Sequence, residues 1–157
     1  MLFRSGFTNN GTLVRDTTEG TVRVTTTFDN AGYVGVSIGN LQFAAGNSPG
    51  NVDSGRYGVS FGSRLEFAGG TRTITGGVFG TGLLLVNGAD VRFDATSTLG
   101  NRDLQIDAGS LEFDNNVAAS FLTLNGGALL GNGTMTLIGG GSINGGTLGI
   151  ANLVVDQ

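Results

Sequence analysis

Polar and apolar residues alternate along most of this chain in short runs, and turn residues separate the runs. Thr21-Val22-Arg23-Val24-Thr25-Thr26-Thr27-Phe28, Thr71-Arg72-Thr73-Ile74-Thr75 and Thr134-Met135-Thr136-Leu137 change character from one residue to the next. A period of two is that of a strand with one face in a core and one outside. No stretch of about 10–15 residues keeps a 3.6-residue period with good helix formers, and glycine interrupts nearly every such window. Asn-Gly pairs at 10–11, 87–88, 125–126, 132–133 and 144–145 lie between the runs. Asn and Gly tolerate positive φ, so these pairs mark tight turns. The pattern predicts an all-β protein of short strands.

Two phrases recur within it. Phe7-Thr8-Asn9-Asn10-Gly11-Thr12-Leu13 reappears 21 residues later as Phe28-Asp29-Asn30-Ala31-Gly32-Tyr33-Val34. Leu41-Gln42-Phe43, Leu65-Glu66-Phe67, Val91-Arg92-Phe93 and Leu111-Glu112-Phe113 each set two apolar residues on one strand face and a polar one on the other. A weaker copy follows near Leu129. The Phe residues of this second phrase are 24, 26 and 20 residues apart. A repeat of this length, built from strands and Gly/Asn turns, is that of a stacked solenoid. We therefore expect a right-handed parallel β-helix forming one domain over residues 1–157. At roughly 22 residues per turn it makes about seven turns, a rod of roughly 30–35 Å at the ~4.8 Å spacing of paired strands. The alternative is an antiparallel sandwich or barrel, because Asn-Gly between alternating runs is also a hairpin signal. In the solenoid, Phe7, Phe28, Phe43, Phe67, Phe93 and Phe113 are expected to stack in the lumen. Each is worth about 1.5–3 kcal/mol by burial. Asn9 and Asn30 are expected at equivalent corners, their amides stacked on each other.

Composition removes most chemistry from consideration. Among 157 residues there are 30 Gly and one Pro, with no Cys and no His, and all eight basic residues are Arg. Disulfides and thiol chemistry are excluded, as is a metal site built on Cys or His. So are an imidazole base, a lysine Schiff base and a Walker-type lysine. The net charge is −4 and no basic patch is present, which argues against nucleic-acid binding. Apolar runs are far too short for a membrane span. Although Gly is abundant, 39% of residues are apolar, which favours an ordered core over disorder.

Several stretches together carry a family likeness. FTNNGTLV, FDNAGYVGVSIGNLQFAAG, LEFAGGTRTITGG and FLTLNGGALLGNGTMTLIGGGSINGGTLG resemble the Gly/Asn/Thr-rich repeats of bacterial autotransporter passengers and filamentous-haemagglutinin-like adhesins. The resemblance covers nearly the whole chain. It implies a right-handed β-helix, export to the cell surface or medium, and a part in adhesion, biofilm or the envelope. Met1-Leu2-Phe3-Arg4-Ser5-Gly6 has neither the charged start nor the apolar core of a signal peptide. The chain is then a processed product, a part of something larger, or not exported.

Only the acidic residues offer material for a reaction. Asp90, Asp94, Asp103, Asp107, Glu112 and Asp114 crowd one stretch with Arg92 and Arg102. Paired carboxylates can do acid–base work on a polysaccharide or hold Ca²⁺. The plainer expectation is that they are solvated positions alternating with inward apolar ones, with Glu66, Arg92 and Glu112 outward between two core residues. The Gly clusters carry no dinucleotide or Walker fingerprint. The Thr-rich strands are too irregular for an ice-binding ladder. Asn10-Gly11-Thr12 and Asn132-Gly133-Thr134 match the glycosylation sequon, which this composition generates readily. The sequence thus assigns no catalytic residue, no metal ligand and no cofactor. As a third class, carbohydrate binding without turnover is expected to depend on Tyr33 or Tyr57.

The ends are the last feature. Soluble solenoids usually cap their open edges with a helix, charges or proline. Leu2, Phe3 and Phe7 open this chain, and Ile150-Ala151-Asn152-Leu153-Val154-Val155-Asp156-Gln157 closes it as an apolar strand. Two explanations are expected to fit: a segment of a longer rod, or head-to-tail pairing of one copy's end with the next copy's start. The reading from sequence is a non-catalytic, structural or adhesive β-solenoid of a bacterial surface. Its expected partners are copies of itself, a carbohydrate or a host surface.

Overall fold

The computed structural model describes residues 6–156; Leu2 and Phe3 lie outside the described residues. Alternation of side chains closes into a coil. Each turn is a short strand, a corner, a second strand, a corner and a third strand, and the next turn lies on it in parallel register. Turn 1 is β1 (Phe7–Asn9), β2 (Thr12–Arg15) and β3 (Thr21–Val24). Turn 2 is β4 (Phe28–Asn30), β5 (Tyr33–Val36) and β6 (Asn40–Phe43). Turn 3 has an isolated bridge at Asp53 in place of a first strand, then β7 (Arg56–Val59) and β8 (Arg64–Phe67). Turn 4 contains β9 (Thr71–Ile74), β10 (Gly77–Gly80) and the first half of β11 (Leu83–Phe93).

From there some strands bend through a corner without a break. Turn 5 takes the second half of β11, β12 (Thr98–Leu99) and the first half of β13 (Asp103–Phe113). Turn 6 takes the rest of β13, β14 (Val117–Ala119) and β15 (Phe121–Leu124). Turn 7 is β16 (Ala128–Leu137) and β17 (Gly141–Ile143), and β18 (Thr147–Val155) forms two sides of turn 8. Every pairing between these strands is parallel. The fold is a right-handed parallel β-solenoid of about 8 turns, and the antiparallel alternative is excluded.

The turn count exceeds the expected seven for a specific reason. The Leu-x-Phe phrase occurs on two different sides of the coil. Leu41–Phe43 and Leu65–Phe67 are third-side strands paired with each other, whereas Val91–Phe93 and Leu111–Phe113 pair on the first side. The 26-residue step between Phe67 and Phe93 therefore crosses from one side to another. True register steps are shorter: Ile74 pairs with Phe93, Phe93 with Phe113 and Phe113 with Gly131.

Inward positions form one continuous hydrophobic core. Phe28, Phe43, Phe67, Phe93 and Phe113 are buried in it, as expected. Phe7 is the exception: it stacks on Phe28 at 5.4 Å between ring centroids but is 48% exposed, because among the described residues only turn 2 packs against it. The Phe rings are not one column either, since they divide between the first and third sides. Corners are set by close backbone stacking. At Gly109, Gly127 and Gly146 the φ angles are +80°, +66° and +84°, and a Cβ would meet the carbonyl of the turn below. Both constraints select glycine.

Candidate functional site

The acidic residues that crowd residues 90–114 do not converge. Asp90, Arg92, Glu112 and Asp114 belong to the first side or its following corner, while Asp103 and Asp107 belong to the third side and the corner after it. Three of these six carboxylates, Asp90, Asp107 and Asp114, bond to the neighbouring turn. Arg92 reaches Asp114 with Nη2 at 2.6 Å and Nε at 2.9 Å. The Ser110 hydroxyl donates to Asp90 at 2.8 Å. Asp107 accepts from Gln105 and from Asn125 Nδ2, and Asp94 accepts from the Thr96 amide and hydroxyl. Among the described residues, no group of three or more His, Cys, Asp or Glu is arranged to hold a metal ion.

The outward slot of the Leu-x-Phe phrase is not uniformly solvated. Glu66 is only 4% exposed. Asn40 and Gln42 from turn 2 each donate to it at 2.8 Å, and Asn87 from turn 4 at 3.2 Å. Burial opposes its charge, but these amides and Arg64 outweigh burial and lower its pKa. Asp29 is held likewise: burial opposes its charge, while Asn51 and Ser48 donors dominate and lower its pKa. Those donors belong to the 44–52 loop, so Asp29 pins this long insertion.

That insertion accompanies a polar cluster inside the core. Asn9 Nδ2 donates to Asn30 Oδ1 at 2.9 Å, the expected amide stack. In turn 3 Asp53 takes the next place, its Oδ1 accepting the Asn30 backbone N–H at 2.8 Å and Asn47 Nδ2 at 2.9 Å. Asn47 also accepts the Thr73 amide at 2.9 Å. The Asp53 and Asn47 side chains thus take the hydrogen bonds that a missing first-side strand leaves open. Asp53 Oδ2 pairs with Arg72 at 2.5 Å and accepts the Tyr57 hydroxyl at 2.7 Å. The Arg72 guanidinium also donates to the Phe28 and Ala45 carbonyls, both at 3.1 Å. It lies between the rings of Phe43 and Phe67, 5.1 and 5.0 Å from their centroids. Burial opposes its charge, but Tyr57 and Asp53 raise its pKa. Burial raises the Tyr57 pKa well above its ordinary value. Tyr57 is 0% exposed, so the expectation that it contacts a carbohydrate is corrected: its ring is core and its hydroxyl is spent on Asp53.

Sequence reasoning left this cluster out, although one signal was present. Arg72 has the same strand parity as Ile74, and Ile74 is an inward residue. A second buried cation, Arg102, has no such company. It donates to the Gly80 carbonyl at 3.2 Å, and its Nε and Nη1 meet no acceptor. Burial alone lowers its pKa to about 10.

The outer surface of the second side differs from the rest in carrying flat aromatic rings on glycine. Tyr33 lies across Gly35 and Gly58: a Cβ at Gly35 would stand 3.0 Å from Tyr33 Cε1, and one at Gly58 would collide with the phenol oxygen. Phe79 lies on Gly77, where a Cβ would be 2.7 Å from the ring. The Arg56 guanidinium covers Phe79 at 5.2 Å. Phe61, 88% exposed, stands at the adjacent corner. Tyr33, Arg56, Gly58, Phe61 and Phe79 bound a groove of about 580 Å³. Compared with known protein families, curated proteins and solved structures, the chain matches none.

Proposed function

We propose that this chain is a non-catalytic structural and adhesive β-solenoid of a bacterial cell surface or extracellular matrix, which extends by stacking one copy's end on another's. The observation that supports this reading is the state of the two end turns. Among the described residues, β1, β2 and β3 pair only with turn 2, and β17 and β18 only with the turns beneath them. Inward apolar residues are exposed there: Phe7 and Val22 at one end, Ile143, Leu148 and Val155 at the other. Free backbone edges and an apolar cross-section of the same shape at both ends are what a further coil covers. An unclosed head-to-tail contact of this kind builds filaments. The carboxylates of Glu66, Asp90, Asp107 and Asp114 fit the same reading, because they bond to adjacent turns.

Light scattering across a concentration series tests this. The mass is expected to rise with concentration. The Asp156 amide donates back to Leu137, so by strand alternation the Val155 amide points to the free edge. Val155→Pro removes that donor without touching the ladder to β16 and is expected to shift the distribution towards monomer, with the circular dichroism of the fold retained. A wild-type protein that stays a monomer at every concentration contradicts the proposal.

A further inference from the structure

We infer that the outer face of the second side in turns 2–4 is a binding site for a polysaccharide whose sugars carry carboxylates. This goes beyond the rod reading and holds for a single copy. The argument begins with the floor. In register, Tyr33 pairs with Arg56 and Arg56 with Gly77, while Gly35 pairs with Gly58 and Gly58 with Phe79. Gly35 and Gly58 lie under the Tyr33 ring and Gly77 under that of Phe79, so Tyr33 rests on backbone and stays 42% exposed. Side chains at Gly35, Gly58 and Gly77 would tip the rings upright or clash with them. Flat rings on a shallow surface suit the apolar face of a sugar ring, which offers C–H groups to the π cloud. A deep apolar cavity is what a hydrophobic small molecule needs instead.

Spacing and charge narrow the ligand. Tyr33 and Phe79 lie two turns apart, ~10 Å along the axis, which is the span of a disaccharide. The hydroxyl residues Ser60 and Thr81 share the groove with them. Arg56 lies on the turn between the two rings and, among the described residues, takes part in no ion pair; it lies over the Phe79 ring. Exposed and already oriented on that ring, its guanidinium can take a carboxylate in bidentate fashion. Directly behind Gly80, which lines the groove, sits the uncompensated Arg102. No acidic residue occurs in β5, β7, β10 or β12. On a chain of net charge −4, the charged residue that lines this groove is the cation Arg56. A uronic-acid polymer matches it in shape and in sign.

Isothermal titration calorimetry with defined oligomers of polygalacturonate, alginate and hyaluronan tests the inference, with fully methyl-esterified oligogalacturonate as the uncharged control. The expected result is binding of at least one uronan, weakened by salt. The same oligomer is recovered uncleaved. Tyr33→Ala and Phe79→Ala are each expected to weaken binding about tenfold or more. Arg56→Gln is expected to lose the preference for the charged over the esterified oligomer. All three residues are on the outer surface, and unchanged thermal melts confirm that the variants remain folded. Failure of all three uronans to bind overturns the inference. So does an affinity indifferent to Tyr33→Ala and Phe79→Ala, which places the polymer elsewhere. Equal affinity for the esterified oligomer overturns the assignment of a carboxylated ligand.

Discussion

The first four turns and the last four share one cross-section but fill it differently. Turns 1–4 hold the amide ladder Asn9–Asn30, the Asp53–Tyr57–Arg72 cluster and the Phe28, Phe43 and Phe67 rings around it. They also hold the long 44–52 insertion. Turns 5–8 stack Val91, Leu111 and Leu129 in the column where Arg72 stands in turn 4. There the strands run longer and bend through corners. The comparison shows that a solenoid can lose a strand if side chains replace its hydrogen bonds, and that the replacement brings charge into the core. Two buried guanidiniums make the point. Arg72 has a carboxylate, a phenol, two carbonyls and two ring faces, whereas Arg102 has one carbonyl.

The largest effect is expected from breaking the compensated site. Arg72→Met leaves the Asp53 carboxylate buried without its cation, and should cost about 3–5 kcal/mol, measured by urea unfolding. Adding Asp53→Asn to that variant should recover part of the loss, since the uncompensated charge is then gone. Leu111→Ala, in the same column of the apolar half, should cost about 2–5 kcal/mol through its cavity. No second substitution of a polar partner should rescue it.

Arg102→Met inverts the sign. A buried cation short of partners is replaced by an apolar chain of similar length, so the variant should gain about 1–2 kcal/mol. The pH dependence follows from the depressed pKa. In the unfolded chain the guanidinium holds its proton up to its ordinary, much higher pKa; in the fold it releases it at about 10. The unfolded state therefore binds more protons between these values, and wild-type stability gains from this group as pH rises through that window. Below it the penalty is complete, so the advantage of Arg102→Met should be greatest at neutral pH and should shrink above pH 10. The smallest effect concerns Glu66. Its pKa is lowered in the fold, so its contribution is present above the ordinary carboxylate pKa and is lost as pH falls through the folded value. Glu66→Gln should flatten that acid limb by less than about 1 kcal/mol.

Much of the architecture could be read from alternation and turn residues, because parity alone decides which side chains enter a coil. It places Phe28, Phe43, Phe67, Phe93 and Phe113 inside and stacks Asn9 on Asn30. Parity says nothing about which side of the coil a strand forms, so the Leu-x-Phe phrase spans two sides and its spacing implies too few turns. Burial of Phe7 depends on a neighbour above it, which strand pattern does not contain. The cluster at Asp53 was hidden by the insertion, since no repeat phrase marks a turn whose first strand is replaced by side chains. The aromatic face required knowing that Gly58 lies beside both Gly35 and Phe79, a relation across turns of unequal length. Tyr33 and Tyr57 look alike in sequence; register places one on a glycine floor and the other against Asp53.

Electron microscopy of the purified protein at neutral pH tests the central claim most directly. The account predicts filaments one solenoid wide, or bundles of them, with an axial repeat of roughly 38 Å from about eight turns at ~4.8 Å each. Uniform short particles of single-copy size at every concentration would contradict it.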